Sequence, residues 1–303
     1  PAAAQRLAPD GGWLAYADVA EAGYDAARLD EARAVWEASD SAAFLVLDGG
    51  AVVAAWGDVE RRYMCHSVRK SYLAALFGPY VEDGTIDLGA TLAELGIDDT
   101  TPLTETEKQA TVLQLMQARS GVFLSAAYEP AQNPKPPRGT AEPGEVWCYN
   151  NWDFNALVTI FNQVTGEDFF EALDARLMRP LGTQDWRLSD GYYHHQPDMS
   201  AHPAYPLRMS GRDMARLGQL FLQDGRWLDE QVLPASWVER CRTPYTDDSW
   251  MGGYGLMWWL LSDTPLAEFD AYAALGVGNQ LIAVLPNPGL VLVNRTDTYV
   301  GDG

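Results

Sequence analysis

Ser67 and Lys70 stand three residues apart in "CHSVRKSY", residues 65–72, and Lys70 is one of only three lysines in 303 residues. A serine hydroxyl is a weak nucleophile at neutral pH unless a neighbouring base takes its proton. Residues three apart share a helix face, so the amine of Lys70 can meet the hydroxyl of Ser67 there. It is the only Ser-x-x-Lys in the chain. Much further on, "PGEVWCYNNWDFN" holds the only Tyr-x-Asn, Tyr149-Asn150-Asn151, directly before a helical pattern. A tyrosine beside a lysine is expected to accept a proton, because an ammonium favours the phenolate. Together these residues suggest acyl transfer through a serine ester.

The elements that must position them are legible in outline. "YDAARLDEARAVWEAS" (24–39) predicts an amphipathic helix, with Leu29, Ala32, Val35 and Trp36 as the apolar stripe packed on a sheet. "AAFLVLDGG" and "AVVAAWGD" predict a hairpin turning at Asp48-Gly49-Gly50. From about residue 66 to 240 the pattern is mainly helical. Three helices are expected to end at Gly84, Gly121 and Gly166, and a fourth to start at Ser210 with Asp213 completing a near capping box. The Pro- and Gly-rich 127–147 stretch predicts a long ordered loop bordering a site. Strand patterns return after about 250, with Asn287-Pro288-Gly289 as a turn. The expected division is a sheet-and-helix domain from 1–60 and 246–303, with a mainly helical region, 61–245, inserted between its halves.

Composition narrows the function. A formal charge of -21, from 42 acidic and 21 basic residues, repels nucleic acid and anionic membranes. No apolar run reaches the length of a membrane span. Cys65, Cys148 and Cys241 have no metal-ligand spacing; one bridge between Cys65 and Cys148 is open, although buried thiols are the plainer expectation. His194, His195 and His202 lack acidic or cysteine partners at metal-binding spacing and read as a polar loop, and His66 is expected to face away from Ser67 or to pack locally. Trp147, Trp152, Trp186, Trp258 and Trp259 lie near the motifs and are candidates for an apolar pocket wall, or for core.

These segments resemble the serine β-lactamase-like, penicillin-recognising hydrolases: class C β-lactamases, D-alanyl-D-alanine peptidases and their esterase and amide-hydrolase relatives. Besides "SVRK" and "YNN" the resemblance runs through "EDGTIDLGATL", "LQLMQARSGV", "LMRPLGTQDW", "SGRDMARLGQLFLQDGRW" and "GGYGLMWW". It implies a β-lactamase-like α/β (α+β) fold, an antiparallel sheet flanked by helices. It implies Ser67 as the acylated nucleophile, Lys70 as its proton acceptor and Tyr149 as the acid/base that serves the leaving group and then water. Asn151 would hydrogen-bond the substrate or Lys70. The oxyanion hole would use the Ser67 N–H and one from the third motif.

In that third motif the chain departs from the Lys-Thr-Gly or His-x-Gly of the best-known members. "LGVGNQ" looks like a Gly-x-Gly-Gly-Gln variant, with Gly276 where the cation would stand, Gly278 beside the substrate and the Asn279 N–H as second oxyanion donor. A missing charge-assisted hydrogen bond forgoes roughly 1.5 to 3 kcal/mol on a substrate carboxylate, so poor β-lactam turnover is expected. Arg295, on the last strand, is a substitute cation or simply a solvated strand end. The resulting expectation is a cofactor-free serine hydrolase acting on small esters, amides or peptide-like molecules. The rivals are a β-lactamase or D-Ala-D-Ala peptidase, a nylon-oligomer-type amide hydrolase, and a non-catalytic penicillin-binding sensor. The opening "PAAAQRLAPDGGW" tilts the expected location toward secreted or periplasmic, and relatives commonly carry a helix after the point where "TYVGDG" stops.

Overall fold

Gly49 and Gly50 take φ of 54° and 74°, the successive positive values that a tight primed turn requires. They join strand β1 (Ala43–Asp48) to β2 (Ala51–Gly57), with Asp48 paired to Ala51 and a bulge between Val46 and Leu47. The computed structural model describes residues 5–129 and 134–299. Within them, six strands from the C-terminal end complete the same sheet. They are β3 (Thr246–Ser249), β4 (Gly252–Tyr254), β5 (Trp259–Leu260), β6 (Tyr272–Gly276), β7 (Gln280–Leu285) and β8 (Leu290–Arg295).

The order is β2-β1-β8-β7-β6-β5-β4-β3, antiparallel throughout. The N-terminal hairpin docks on the last strand, Leu45 opposite Val293, so both ends of the chain build one sheet. Gly289, at φ 76°, follows Pro288 in the turn between β7 and β8.

Helix α1 (Ala26–Glu37) forms behind its Asp25 cap, but it buries none of its residues. Val35 is 74% exposed, and Trp36 packs on Trp56 of β2 at 5.9 Å. Of the expected stripe only Leu29 and Trp36 are partly buried, while Ala32 and Val35 face solvent, so the stripe does not bind the helix along its length. Helix α2 (Arg69–Glu82) is the opposite case. Tyr72, Leu73, Ala74, Ala75, Leu76 and Phe77 are all buried, as in a helix surrounded by core.

The helix expected to end at Gly121 does not run as one. Thr111 forms a complete capping box with Gln114, so a fresh one-turn helix, Val112–Met116, starts there. It stops at Gln117, and Ala118 then takes φ 57°. Helix α3 (Asn151–Thr165) begins at its Asn150 cap and ends at Gly166 in the left-handed conformation.

Helix α4 (Gly211–Leu222) lies across the sheet, where a Cβ on Gly218 would come within 2.5 Å of Val291. Its Ser210 cap accepts the Asp213 N–H, yet the capping box stays open. The Asp213 carboxylate instead accepts the N–H groups of Gln184, Asp185 and Trp186 at 2.8, 2.8 and 2.9 Å. The main hydrophobic cluster joins β1 and β8 to α2, α3 and α4, so helices and sheet share a core. No helix among the described residues is long and apolar enough to cross a membrane. Expectations for the N-terminal four residues, for 130–133 of the loop and for anything after 299 lie outside the described residues.

Candidate active site

Ser67 sits in a 3-10 turn, His66–Val68, that runs straight into α2. His66 takes φ 47°, unusual for a side chain this large and a local bend that sets the direction of the turn carrying Ser67. One turn later Lys70 Nζ is 2.7 Å from Ser67 Oγ. Lys70 is 1% exposed. Its ammonium is enclosed by the rings of Tyr149 and Phe154, at 4.7 and 5.0 Å from their centroids.

Burial holds the Lys70 amine well below the ordinary lysine range, the nearby Arg69 charge pushes it further down, and Glu129 pulls partly back. The amine can thus lose its proton at a much lower pH than a surface lysine. Burial pushes the Tyr149 phenol up to about 12, against smaller opposing effects from its hydrogen bond with Ser67 and from Arg69. That overturns the expectation of a phenolate: Tyr149 is a neutral phenol that can relay a proton. The polypeptide brings it in from the start of α3, where buried Asp153 accepts from Ser120 Oγ at 2.6 Å and from Asn150 Nδ2 at 3.1 Å. Burial raises Asp153 to about 8, so this anchor is a carboxylic acid at neutral pH.

Strand β6 closes the site from the other side. A Cβ on Gly276 would lie 2.5 Å from Cys65 O and 3.2 Å from Ser67 N. The two backbones touch, and no side chain fits at 276, cation or otherwise. Gly278 and Asn279, at φ 74° and 58°, form the turn into β7, and both line the cavity that opens on Ser67. Val277, 59% exposed, lines that cavity as well, and the motif did not single it out.

That cavity, about 610 Å³, is walled by Trp147, Tyr149, Trp250 and Trp259. Tyr149 packs on Trp259 at 5.1 Å, and Trp250 packs on it at 4.9 Å. Of the tryptophans proposed for the wall, Trp152, Trp186 and Trp258 are core residues, while Trp250 was missed.

Asn151 is buried, its Nδ2 donates to Tyr128 O at 3.2 Å, and its Oδ1 has no partner among the described residues. Arg295 is neither a substrate cation nor a solvated strand end. It is fully buried, donating from Nε to Gln280 Oε1 at 2.7 Å and from Nη2 to Met64 O at 3.0 Å, where it ties β7 and β8 to the segment before Ser67.

Of the two alternatives for His66 it is local packing that holds, its Nδ1 3.3 Å from Tyr128 Oη and its Nε2 2.9 Å from Thr298 Oγ1, and with Ser67 it borders a second cavity. His194 borders the same cavity, and His202 Nδ1 pairs with Thr159 Oγ1 at 3.0 Å. The three cysteines are buried free thiols, so Cys65 and Cys148 are not bridged.

A sheet built from both chain ends, with a serine and a lysine at the head of its central helix, defines a β-lactamase-like fold. The chain belongs to the beta-lactamase family, within the serine hydrolase superfamily: the family profile matches residues 30–297. Solved structures agree on the fold. A protein from Bacillus anthracis, provisionally assigned as a 6-aminohexanoate-dimer hydrolase, is 22% identical with TM-score 0.68, over 88% of this chain and 76% of that one. The octameric penicillin-binding protein homologue from Pyrococcus abyssi is 18% identical with TM-score 0.68, over 91% and 74%. A D-stereospecific amidohydrolase from Streptomyces sp. is 19% identical with TM-score 0.63, over 90% and 94%. No curated protein matches the chain in sequence.

Proposed function

We propose that the protein is a serine hydrolase that cleaves esters or amides of small carboxylic acids through an acyl-enzyme. The observation that carries this is the 2.7 Å contact between Ser67 Oγ and a buried Lys70 amine whose proton affinity burial has lowered. Lys70 takes the Ser67 proton as Oγ attacks the carbonyl carbon. The resulting oxyanion is held by the Ser67 N–H and by a backbone N–H of the Val277–Asn279 turn beside it, with Gly278 leaving room for the substrate. Tyr149, hydrogen-bonded to Ser67, gives its phenolic proton to the leaving group, and the phenolate so formed takes one from the attacking water while Lys70 returns its proton to Ser67 Oγ as the acid departs. Asn151 positions the substrate through its unpartnered Oδ1.

A nylon-oligomer-type amide hydrolase is the second reading, favoured by the fold shared with the 6-aminohexanoate-dimer hydrolase assignment and the D-stereospecific amidohydrolase. The β-lactamase or D-Ala-D-Ala peptidase reading is disfavoured, because position 276 has no room for a cation and Arg295 is committed elsewhere. The test compares a short-chain nitrophenyl ester with a chromogenic cephalosporin, for the parent protein and Ser67→Ala, with mass spectrometry for the acyl adduct. Ester turnover lost in the variant, with little cephalosporin cleavage, is expected. A stable adduct without turnover would indicate a sensor, and fast cephalosporin cleavage a β-lactamase.

A further inference from the structure

The tryptophan-walled cavity and the second one, about 400 Å³ and bordered by Tyr128, Asn151 and His194, both open on Ser67, yet they differ in one respect that bears on the reaction. Tyr149, the acid, lines the first and does not border the second. It is half-buried there, with its hydroxyl hydrogen-bonded to Ser67. That asymmetry determines which part of a substrate goes to which side.

In the tetrahedral intermediate the former carbonyl carbon carries Ser67 Oγ, the oxyanion, the leaving atom and the acyl chain. Ser67 Oγ is placed by the turn into α2, and the oxyanion faces the backbone N–H groups of Ser67 and of the turn after β6. When the bond from carbon to the leaving atom breaks, its electron pair stays on that oxygen or nitrogen, which takes the Tyr149 phenolic proton. The leaving atom must therefore lie within hydrogen-bond reach of Tyr149. The group it carries then extends into the cavity that Tyr149 lines. The acyl chain takes the remaining direction, toward Asn151 and the second cavity.

The lining of the first cavity specifies the leaving group. Trp147, Trp250 and Trp259 supply rings, Pro136 and Leu275 add apolar surface, and none of the described residues lining it is charged. A charged group would lose its hydration there without gaining a partner. An aryl ring would instead pack on rings already assembled beside the acid, with Trp259 at 5.1 Å from Tyr149 and Trp250 at 4.9 Å from Trp259. A volume of about 610 Å³ has room for such a ring and a short linker.

We infer that the tryptophan-walled cavity is the leaving-group site, so that the preferred substrates release an uncharged, aryl-bearing alcohol or amine from a small acyl group. The inference rests on the proposed roles of Ser67 as nucleophile and Tyr149 as acid.

The experiment compares methyl acetate with benzyl acetate, which adds a ring on the alcohol side, and with methyl phenylacetate, which adds the same ring on the acyl side. The last two are constitutional isomers, and their alcohols are of nearly equal acidity, so the placement of the ring is the main difference. Values of kcat/KM, which report the steps through acylation, are taken by pH-stat for the parent protein and Trp250→Ala. Relative to methyl acetate, benzyl acetate should gain about tenfold or more, as expected for burying an aromatic ring, and methyl phenylacetate should gain little. In Trp250→Ala the benzyl gain should fall about 3–10-fold, with the phenylacetyl ratio unchanged.

Each gain is a ratio within one protein, so a change in Ser67 reactivity cancels. A gain for methyl phenylacetate that equals or exceeds that for benzyl acetate overturns the inference, and so does a benzyl gain that survives intact in folded Trp250→Ala. 4-Nitrophenyl acetate, assayed alongside, separates this inference from the reading beneath it. Its turnover, lost in Ser67→Ala, together with no benzyl gain overturns the leaving-group assignment alone. Absence of both its turnover and a Ser67 adduct overturns the serine-hydrolase reading, and this inference with it.

Discussion

Two cavities meet at Ser67, and they are built from different materials. One is walled by rings of Trp147, Trp250 and Trp259 brought together by the loop before α3 and by strands β3 to β5. The other is bordered by a buried, half-unmatched arginine, two histidines and an asparagine. The first offers contact area to any apolar group and selects by shape. The second holds fixed hydrogen-bonding groups whose unmatched state costs free energy, so it selects by chemistry.

The largest effects should come from the residues common to both sides. Lys70→Met is expected to lower kcat/KM by about 10²–10⁴-fold for apolar and charged esters alike, read in steady-state assays. A loss confined to one class would mean that Lys70 binds substrate instead of activating Ser67. In the parent protein the rate should rise with pH as Lys70 loses its proton, and level off well below the ordinary lysine range. A rise centred near 10.5 would contradict a depressed amine.

Next is the backbone contact that holds the two cavities in register. Gly276→Ala places a Cβ 2.5 Å from Cys65 O, so β6 must retreat from Ser67. A stability loss of about 1–3 kcal/mol in urea unfolding is expected, with activity reduced on both substrate classes.

Trp250→Ala tests one side alone. Trp250 is 66% exposed at the rim, and its loss should raise KM for aryl esters about 3–10-fold while leaving kcat little changed. A fall in kcat of similar size would show that the cavities act as one.

The smallest effect on rate is expected at Asp153, which touches neither cavity. Its carboxyl is protonated in the folded protein up to about 8 and ionises near 3.8 when unfolded. Between those values the folded state holds the extra proton, so stability should decline as pH rises through that window. Asp153→Asn keeps an oxygen for Ser120 and removes the ionisation. Thermal unfolding of the variant should be flatter than the parent between pH 4 and 8, and an unchanged slope would place the ionisation elsewhere.

Local spacing made the approach of Lys70 to Ser67 legible, because it depends on contacts within about one turn. The hairpin at Gly49-Gly50 and the cap at Gly166 were legible for the same reason: positive φ is a property of the residue itself. The helix expected up to Gly121 was misread where one local signal, the Thr111 capping box, outweighed overall helical composition.

What the amino-acid sequence determined by itself is therefore the chemistry at hand: a serine, a base three residues on, a tyrosine before a helix, and a family. Tertiary structure alone decided the environment of that chemistry. Arg69 and Arg295 are alike in sequence terms, yet one is left with unmatched N–H groups beside Ser67 while the other is fully engaged behind it. Tyr149 became a neutral phenol because of what buries it, and Gly276 is required because Cys65, more than 200 residues earlier, passes within contact. Burial and close approach are set by segments distant in the chain, and pKa and specificity follow from them.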